Sequence, residues 1–501
     1  MANQDFFHEI AMTKHPIGTT DQEVQPLPVP DIWFSKEDCR QHKISWEGEK
    51  TFEEQCVDFA RDLVDMRNQY HPYLRNYLPH VQTGILDMQL QEFEFRYREK
   101  GEVFTDRNDI SKVWEKVTVP DYRGPALEDG KWSGYYRCSY KNIWSEELIQ
   151  NQKRAVLYFQ CVDYIAEIYL NGNYVGSHEG FFAPFSFDVT DYLQEDNELV
   201  ILCKNDVPIL GVGPVLDGDK IYAATGPGWD DPEVGWHHCP AGAGVFGRVS
   251  MEIRPEVYLD DIFVRPDIDQ DLVELRLGVI NYTDEVKEAY DLDLELLPRN
   301  YEGKKIGDLY TKITYVGPGK NEYRYFIPVS DYRLWEPESP WIYGAQANLG
   351  KAGDPISGKS QNFGMKKFVS DETSAPKGKF YLNNQPIVLR GANEMGHLQQ
   401  CVMKGDFDQL ADDILIAKMC NMNYYRVTQR PVQEEIYDYF DMLGMMHQCD
   451  LPLFSFLRRP QFAEAVKQVQ EMEHLVRRHV YTELVTFINE HMCIRRTEDP
   501  E

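Results

Sequence analysis

The segment NYYRVTQRPVQEEIYDYFDMLGMMHQCDLPLF, residues 423–454, decides how this part of the chain folds. It begins with a strand-like run at 423–428, continues with an amphipathic stretch at 432–444, and ends with a second strand-like run at 445–454. In the amphipathic stretch the apolar residues recur at the spacing of a helix. Two strands joined by one helix are parallel neighbours in a sheet. The segment therefore predicts a βαβ unit.

The same alternation of strand and helix extends on both sides of this unit. Strand-like runs lie at 386–391 and 484–490, and helical patterns lie at 407–421 and 462–480. Because no glycine-rich phosphate loop accompanies them, a (β/α)8 TIM-type barrel is favoured over a dinucleotide-binding fold. A closed barrel of this type has eight strands, so residues 368–501 are predicted to hold about four βα units, the first half of such a barrel.

The chain before the barrel-like region consists of short strand patterns. Residues 156–162 are rich in β-branched and aromatic side chains, and Asn171-Gly172 lies between two alternating apolar runs. Asn-Gly is a hairpin signal because both central residues of such a turn need a positive φ. Many short strands with regular turn signals predict a jelly-roll β-sandwich at 86–255 and an immunoglobulin-like β-sandwich at 256–367.

Residues 1–85 form an N-terminal extension ahead of the first sandwich. Between Thr51 and Asn76 apolar residues recur at helical spacing, with charged residues between them. This pattern predicts an amphipathic helix that packs against a neighbouring domain. The predicted fold class is therefore multidomain, with β domains followed by an α/β domain.

The composition excludes several classes of partner and suggests a location. Among 501 residues, 52 are Lys or Arg and 82 are Asp or Glu, which gives a net charge of −30. This charge argues against nucleic acid and anionic membranes as partners.

The sequence has neither an apolar run long enough for a spanning helix nor the apolar core of a secretory signal. Ten cysteines without a CxxC pair are typical of free thiols in a reducing compartment, which predicts a cytoplasmic protein.

The cluster His237-His238-Cys239 raises the question of a metal site. Adjacent residues of a strand point to alternate sides of a sheet, so three neighbours make poor ligand geometry. A structural role is favoured, and no metal is predicted there.

Six segments carry motifs whose order is more specific than any one of them. They are GYYRCSYK (134–141), YLNGNYVGSHEGFFAPFSFDVT (169–190), CPAGAGVFGRVSMEI (239–253), FYLNNQPIVLRGANEMGH (380–397), NYYRVTQRPVQEEIYDYFDMLGMM (423–446) and VTFINE (485–490). In this order they resemble glycoside hydrolase family 2, the β-galactosidase and β-glucuronidase type, over about residues 115–490. The resemblance implies a sugar-binding jelly roll, an immunoglobulin-like sandwich and a catalytic barrel.

The resemblance also implies a reaction and its central residue. Hydrolysis of a glycoside with retention uses two carboxyl groups roughly 5–5.5 Å apart. Barrel active sites lie at the carboxyl ends of the strands, and Glu490 ends the strand-like run that begins at Leu484. By resemblance Glu490 is the acid/base, and Asn489 hydrogen-bonds the sugar 2-hydroxyl. Taken alone, without the resemblance, Glu490 is more typical of an exposed loop carboxylate, because glutamate most often lies on the surface.

Four further residues are expected to line the substrate pocket by the same resemblance. His397 stands where galactosidase-like members have a pocket histidine, and Asn393 lies on the same turn. Arg426 ends the second strand, where the family places an arginine that positions the nucleophile, and Asp450 ends the third. Three of them have a structural alternative: a satisfied structural histidine for His397, an ion pair for Arg426, and a helix cap for Asp450.

The sequence departs from the family pattern at two places and lacks one part of it. Residues 428–431 read Thr-Gln-Arg-Pro where many members read Ser-His-Tyr-Pro, and 489–491 read Asn-Glu-His in place of Asn-Glu-Pro. The first departure weakens an assignment to β-galactosides. The family's nucleophile is a glutamate on the seventh strand, and residues 491–501 offer no counterpart. The chain is then a fragment, a half-enzyme completed by a second polypeptide, or a non-catalytic carbohydrate-binding or scaffold chain.

The sequence thus predicts a retaining exo-β-glycosidase that acts on terminal β-linked sugars, with a β-galactoside as the first candidate. No cofactor is predicted. Some relatives hold a divalent cation near the acid/base, but the candidate ligands here are Asp450 and His397 alone, which is too few. The expected partners are a carbohydrate substrate and, in addition, either a second copy of the chain or a chain that supplies the complementing half-barrel.

Overall fold

A computed structural model describes most of the chain between Phe52 and Thr486. The described residues are 52–79, 84–99, 101–105, 111–123, 131–142, 144, 153–206, 209–210, 216–217, 243–374, 377–394, 396–428, 431–451, 461–480 and 482–486. The cluster His237-His238-Cys239 lies outside them. A first helix, α1 (Phe52–Tyr70), is followed by a 3-10 turn at His71–Leu74, and both precede the sandwiches.

The first sandwich is built from two antiparallel sheets. Its strands are β1 (Leu86–Gln89), β2 (Glu92–Tyr97), β3 (Glu115–Thr118), β4 (Lys131–Lys141), β5 (Lys153–Phe159), β6 (Ile165–Leu170), β7 (Asn173–Glu179), β8 (Phe185–Asp188), β9 (Asp196–Asp206), β10 (Ile209–Leu210), β11 (Leu216–Asp217) and β12 (Val249–Pro255). One sheet has the order β1-β12-β5-β8 and the other β3-β2-β4-β9-β6-β7, while β10 and β11 form a separate hairpin. A 3-10 turn lies at Thr190–Tyr192.

Two features of this sandwich follow directly from its sequence. Asn171 and Gly172 have φ of 53° and 81° and connect β6 to β7, which confirms the predicted hairpin. Phe159, Ile168 and Ile201 are buried between the two sheets, as the period-two alternation of strands requires. The apolar core therefore lies between the sheets, and the polar faces point away from it.

The second sandwich also consists of two antiparallel sheets. Its strands are β13 (Val257–Asp267), β14 (Leu272–Asn281), β15 (Lys287–Pro298), β16 (Gly307–Val316), β17 (Gly319–Pro328), β18 (Trp335–Glu336), β19 (Ser339–Pro340), β20 (Tyr343–Lys351) and β21 (Asp354–Phe363). The sheets have the orders β13-β14-β17 and β16-β15-β20-β21, and β18 pairs with β19. Three strands facing four is typical of an immunoglobulin-like sandwich.

The third part contains a small antiparallel sheet and then a parallel sheet with helices. Its elements are β22 (Phe368–Asp371), β23 (Lys379–Leu382), β24 (Gln385–Ile387), β25 (Gly391–Glu394), α2 (His397–Lys404), α3 (Phe407–Met419), β26 (Tyr424–Val427), α4 (Glu434–Leu443), β27 (Met446–Asp450), α5 (Phe462–Val476) and β28 (Thr482–Thr486). Strands β25, β26, β27 and β28 are parallel neighbours in chain order. The predicted alternation of strand and helix is confirmed within the described residues.

The first parallel strand does not lie where the sequence predicted it. The run 386–391 was expected to form it, but β24 turns back and pairs antiparallel with β23. Asn383 and Asn384, with φ of 51° and 65°, make the tight turn between these two strands. The parallel strand begins at Gly391, where a Cβ atom would lie 2.0 Å from the carbonyl oxygen of Tyr424. Only glycine lets the two strands approach this closely.

Helix α2 was not predicted, because it is short and lies between two glycines. Gly396 precedes it with a φ of 117°, and Gly405 ends it with a φ of 68°. An eight-residue helix shows too few turns for the apolar period to be read. The predicted helix at 407–421 is therefore the second helix after β25 rather than the first.

The two faces of the parallel sheet have different roles, because successive side chains of a strand point to opposite sides. Tyr425, Val427 and Cys449 belong to the core that includes Ile414 of α3 and Phe440 of α4. The alternate residues of the same strands point to the other face, which is the interior of a barrel in this fold. We call it the interior face. Met446 and Tyr424 pack at its lower part, together with Trp335 of β18.

Helix α1 packs against the helices of the third part, as the sequence predicted. Leu63 is fully buried and joins the same core as Leu410 of α3. The guanidinium of Arg67 donates to both carboxylate oxygens of Asp412 of α3, with 2.7 Å between Nε and Oδ1. Helix α1 thus packs on the outer layer of helices.

None of the helices in the described ranges combines the length and apolarity that a membrane crossing needs. The seven cysteines that the structure describes are all free, and six of them are buried. This confirms the predicted free thiols for that part of the chain.

We predict that Leu63→Ala lowers the free energy of unfolding by about 2–5 kcal/mol, because it removes a fully buried side chain and leaves a cavity. The measurement is urea-induced unfolding followed by circular dichroism. The control is Val64→Ala on the same helix, where the side chain is 44% exposed and little change is expected. Equal effects of the two substitutions would contradict the packing of α1 on α3.

Candidate functional site

The carboxyl ends of the parallel strands bring three of the predicted pocket residues to the interior face. Asn393 pairs in register with Arg426, and Arg426 pairs with Gln448 of the next strand. Asp450 lies two residues beyond Gln448 and therefore points to the same side. Asn393, Arg426 and Asp450 come from three strands that are separated in sequence by at least one helix each. The fold alone makes them neighbours.

An ion pair between Arg426 and Asp450 is the centre of this arrangement. Nε of Arg426 lies 3.2 Å from Oδ1 of Asp450, and Nη2 lies 2.6 Å from Oδ2. The carboxylate of Asp450 is fully buried, and the guanidinium of Arg426 is partly exposed. A two-pronged contact of this kind holds both groups in one orientation. The sequence-based alternative of an ion pair for Arg426 is therefore realised, on the interior face.

A second side chain, Gln448, donates to the carboxylate of Asp450 from two residues earlier on the same strand. The hydroxyl of Tyr424 donates to Oε1 of Gln448 at 2.8 Å, so the amide nitrogen of Gln448 faces Oδ1 of Asp450 at 3.4 Å. Burial, followed by the charge of Asp450, raises the pKa of Tyr424 above its ordinary value, so the hydroxyl stays a donor. No motif in the sequence singles out Tyr424 or Gln448. Their positions two residues before Arg426 and Asp450 are the signal that strand alternation offers.

His397 lies at the start of α2 and contacts two carboxylates on the helix side of the sheet. Its Nδ1 is 3.4 Å from Oε1 of Glu394, and its Nε2 is 4.0 Å from Oδ2 of Asp413. The carboxylate of Glu394 is buried and accepts hydrogen bonds from the backbone N–H groups of Gly396 and Leu398, at 2.7 and 3.3 Å. Burial raises the pKa of Asp413. His397 is thus held by groups other than the Arg426–Asp450 pair.

The predicted acid/base and its neighbour lie beyond the part of the chain that the structure describes. Strand β28 is described as far as Thr486, which pairs with Asp450. Asn489 and Glu490 follow it and are outside the described residues. Their roles remain predictions.

A different group of side chains in the described residues has the composition of a metal site. Oxygen or nitrogen atoms of Asp438, Asp441 and His479 lie within 4.8 Å of one another. Nδ1 of His479 is 3.1 Å from Oδ2 of Asp441, and the same oxygen accepts the backbone N–H of Val480 at 2.9 Å. These contacts already join α4 to the segment after α5, which explains the group as an internal tie.

The charges in this tie shift the pKa of two of its members. Burial lowers the pKa of His479, but its hydrogen bond to Asp441 and the charges of Asp441 and Asp438 outweigh burial, so the pKa is raised overall. Burial raises the pKa of Asp438 to about 6. Because both folded-state pKa values lie above the ordinary ones, the folded state gains stability as the pH falls through them.

Three family models match the chain in the order of its domains. Residues 114–209 match the glycosyl hydrolase 2 galactose-binding domain-like family, and residues 257–366 match glycosyl hydrolases family 2. Residues 374–494 match the TIM barrel domain of glycosyl hydrolases family 2. The matches follow the observed order of sandwich, sandwich and parallel sheet.

Two relatives match this chain at low sequence identity. A β-galactosidase of Thermoanaerobacter pseudethanolicus is 24% identical over 340 residues, which are 65% of this chain and 40% of that protein. A β-glucuronidase of Streptococcus agalactiae serotype V is 25% identical over 324 residues, which are 62% of this chain and 49% of that protein. The chain thus spans less than half the length of either relative.

Solved structures share the fold over a longer part of this chain. The crystal structure of a Bacteroides uniformis β-glucuronidase superposes with a TM-score of 0.63 at 19% identity. The superposition covers 81% of this chain and 47% of that one. At this identity the likeness concerns the architecture, which combines sandwich domains with a TIM-barrel domain.

We predict that Arg426→Leu lowers the free energy of unfolding by about 3–5 kcal/mol, because it leaves the buried carboxylate of Asp450 without its partner. Arg426→Lys keeps the charge and should lose less. The measurement is urea-induced unfolding, with Arg61→Leu on the exposed face of α1 as control. A loss below about 1 kcal/mol for Arg426→Leu, typical of an exposed pair, would contradict the importance of this contact.

We predict that His479 makes stability depend on pH. Its folded pKa lies above the ordinary value of 6.5, so its contribution is complete below that value and is lost as the pH rises through the folded pKa. Lowering the pH from about 8 to about 6 should therefore stabilise the wild type more than His479→Gln. Thermal unfolding of both proteins across this range checks the sign. Parallel curves for the two proteins would show that the tie does not titrate.

Proposed function

The chain belongs to glycoside hydrolase family 2, and we propose that it acts in the hydrolysis of terminal β-linked sugars with retention of configuration. The observation that supports this most is the interior face. Asn393, Arg426 and Asp450 converge there, at the carboxyl ends of adjacent parallel strands. Active sites of TIM-type barrels lie at these strand ends, and Glu490 follows the fourth strand of the set.

In the proposed reaction Glu490 acts twice. It first donates its proton to the oxygen of the departing group, while a second carboxylate attacks the anomeric carbon and forms a glycosyl ester. Glu490, now ionised, then removes a proton from water, and the water oxygen displaces the second carboxylate from the anomeric carbon. The proton balance closes because Glu490 ends the cycle protonated. Asn489 is assigned to the sugar 2-hydroxyl.

Asp450 is assigned a positioning role rather than that of the attacking carboxylate. It is fully buried, and its two oxygens already accept hydrogen bonds from Arg426. Within the described strands, the alternation of side chains places the carboxylate of Asp450 on the interior face, whereas the carboxylate of Glu394 points to the helices. The attacking carboxylate therefore comes from outside the described residues or from a second polypeptide.

The proposal does not specify which terminal sugar is hydrolysed. Relatives are named both β-galactosidase and β-glucuronidase, so the two sugars are the first to compare. A β-galactoside is the first candidate, although the family histidine that follows the second strand is replaced here by Gln429. A second candidate function is carbohydrate binding without hydrolysis, favoured by the engagement of Asp450 with Arg426.

We predict that Glu490→Gln lowers kcat/KM by about 10²–10⁴-fold on aryl β-glycosides with a poor leaving group, because the departing oxygen then lacks a proton donor. The loss in the glycosylation step should be much smaller on dinitrophenyl glycosides, whose leaving group needs no proton. The measurement is hydrolysis of galactosides, glucuronides, glucosides and mannosides with both leaving groups. Glu288→Gln, at an exposed position of β15, is the matched control.

Two outcomes would overturn the proposal in different ways. An equal loss on both leaving groups would remove the acid/base role from Glu490 and leave it a structural residue. If the wild-type chain hydrolyses none of the glycosides but still binds the sugars in calorimetry, then either the carbohydrate-binding function replaces the catalytic one or the attacking carboxylate belongs to a second polypeptide.

A further inference from the structure

Three side chains of the types that bind metal ions meet on the helix side of the parallel sheet. His397 and Cys401 are one helical turn apart on α2, so they project from the same face of that helix. Asp413, on α3, lies opposite them. Its Oδ2 is 4.0 Å from Nε2 of His397 and 3.7 Å from Sγ of Cys401. We call these three side chains the α2–α3 group.

The short connection between the two helices brings this group together. Gly405 ends α2 with a φ of 68°, and Asp406 caps α3 by accepting the backbone N–H of Gln409 at 3.3 Å. The side-chain amide of Gln409 donates to Oδ1 of Asp413 at 2.7 Å. That hydrogen bond engages one oxygen of the Asp413 carboxylate, and the other oxygen, Oδ2, is directed at α2.

The spacing within the group fits two ligands of one ion better than a direct hydrogen bond. Hydrogen bonds between nitrogen and oxygen span about 2.7–3.2 Å, so the 4.0 Å between His397 and Asp413 is too long for one. In a tetrahedral zinc site, a nitrogen and an oxygen ligand lie about 3.4 Å apart, and a sulfur and an oxygen ligand about 3.6 Å apart. The sulfur of Cys401 is already at that distance from Asp413. The exposed ring of His397 can turn to close the group.

The carboxylate of Glu394 faces the opposite side of the histidine ring. Its Oε1 lies 3.4 Å from Nδ1 of His397, and it accepts the backbone N–H groups of Gly396 and Leu398. A histidine that binds a metal through one ring nitrogen usually donates the N–H of the other nitrogen to a carboxylate, a carbonyl or water. Glu394 stands where such an acceptor is needed, so Nε2 is the ring nitrogen that is placed to bind an ion.

The tie formed by Asp438, Asp441 and His479 differs from this group. In the tie, Nδ1 of His479 and Oδ2 of Asp441 lie 3.1 Å apart, so the ring and the carboxylate satisfy each other directly. In the α2–α3 group the corresponding atoms are almost 1 Å further apart, and a thiol lies beside them. The α2–α3 group is therefore the better candidate for an ion that needs a soft ligand.

The α2–α3 group is open to solvent beside His397. The side chain of His397 is 43% exposed and that of Asp413 is 21% exposed, whereas Cys401 is buried. An ion can therefore enter from the side of the histidine and keep a water molecule there. The negative charges of Asp406 and Asp413 act on Cys401, against the positive charge of Lys404. The local field therefore favours a cation.

We propose that the α2–α3 group binds a divalent ion of the zinc type through Nε2 of His397, Sγ of Cys401 and Oδ2 of Asp413, with water as the fourth ligand. Zinc takes imidazole, thiolate and carboxylate ligands, whereas Mg²⁺ and Ca²⁺ prefer oxygen ligands alone. On binding, the thiol of Cys401 loses its proton to solvent and becomes the thiolate ligand. The ion ties α2 to α3 beside the carboxyl end of β25.

This site is separate from the interior face and from the proposed hydrolysis. Asp450 points to the interior face and is engaged with Arg426, so it does not contribute a ligand here. The proposal is measured by metal binding alone. Its failure would leave the proposed hydrolysis untouched, and the reverse also holds.

The test is titration of the whole chain, stripped of metal beforehand, with Zn²⁺ in competition with a chromophoric chelator and with Co²⁺ followed by absorption. We expect one Zn²⁺ per chain, no displacement by Mg²⁺ or Ca²⁺, and a sulfur-to-cobalt charge-transfer band. Cys401→Ser should abolish the band and weaken Zn²⁺ binding about tenfold or more, because serine supplies no thiolate. The matched control is Cys420→Ser, an exposed cysteine at the end of α3, which should leave both unchanged.

His397→Ala provides a second variant in case Cys401→Ser impairs folding. Its side chain is partly exposed, so the fold should tolerate the change, and loss of the ring nitrogen should weaken Zn²⁺ binding about tenfold or more. Zn²⁺ should also raise the thermal unfolding temperature of the wild type more than that of either variant. Absence of Zn²⁺ binding by the wild type, absence of the charge-transfer band, or binding that both variants leave unchanged would overturn the proposal.

Discussion

The ion pair between Arg426 and Asp450 is the interaction on which the interior face depends. A fully buried carboxylate is stable only when its oxygens are hydrogen-bonded, and here the guanidinium reaches both of them. Because the two residues stand at the ends of adjacent strands, the pair also fixes the register of β26 against β27. Gln448, oriented by Tyr424, adds a donor to the same carboxylate. The polar groups at this edge therefore form one rigid set.

The alternation of side chains in the parallel sheet separates this polar set from the core. Residues such as Val427 and Cys449 pack with the helices, whereas Arg426 and Asp450, one position away, point to the interior face. Helix α1 covers the outer helices, with Leu63 and Arg67 as its contacts. The apolar packing thus holds the strands in place, and the strands hold the polar side chains at the carboxyl ends of the sheet, where the substrate is proposed to bind.

The sequence predicted the elements that have a clear period and missed those that depend on local backbone geometry. Helices α3, α4 and α5 were recognisable because their apolar residues recur over several turns. The first parallel strand was misplaced, because its position depends on the turn at Asn383 and Asn384 and on the close approach at Gly391. Arg426 and Asp450 were each proposed as site residues, but their contact is set by strand register, which no local pattern reveals. The link of His397 to Glu394 depends on the turn at Gly396, and its link to Asp413 depends on the position of α2 beside α3; neither is revealed by the apolar pattern.

The measurement that tests the central claim most directly is a crystal structure of Glu490→Gln with an aryl β-galactoside or β-glucuronide bound. The account predicts the sugar at the carboxyl ends of β25 to β28, beside Asn393 and Arg426, with its glycosidic oxygen within about 3 Å of the side chain at position 490, or joined to it through one water. A sugar bound only on one of the sandwiches, or bound at the sheet with position 490 out of reach of that oxygen, would contradict the account.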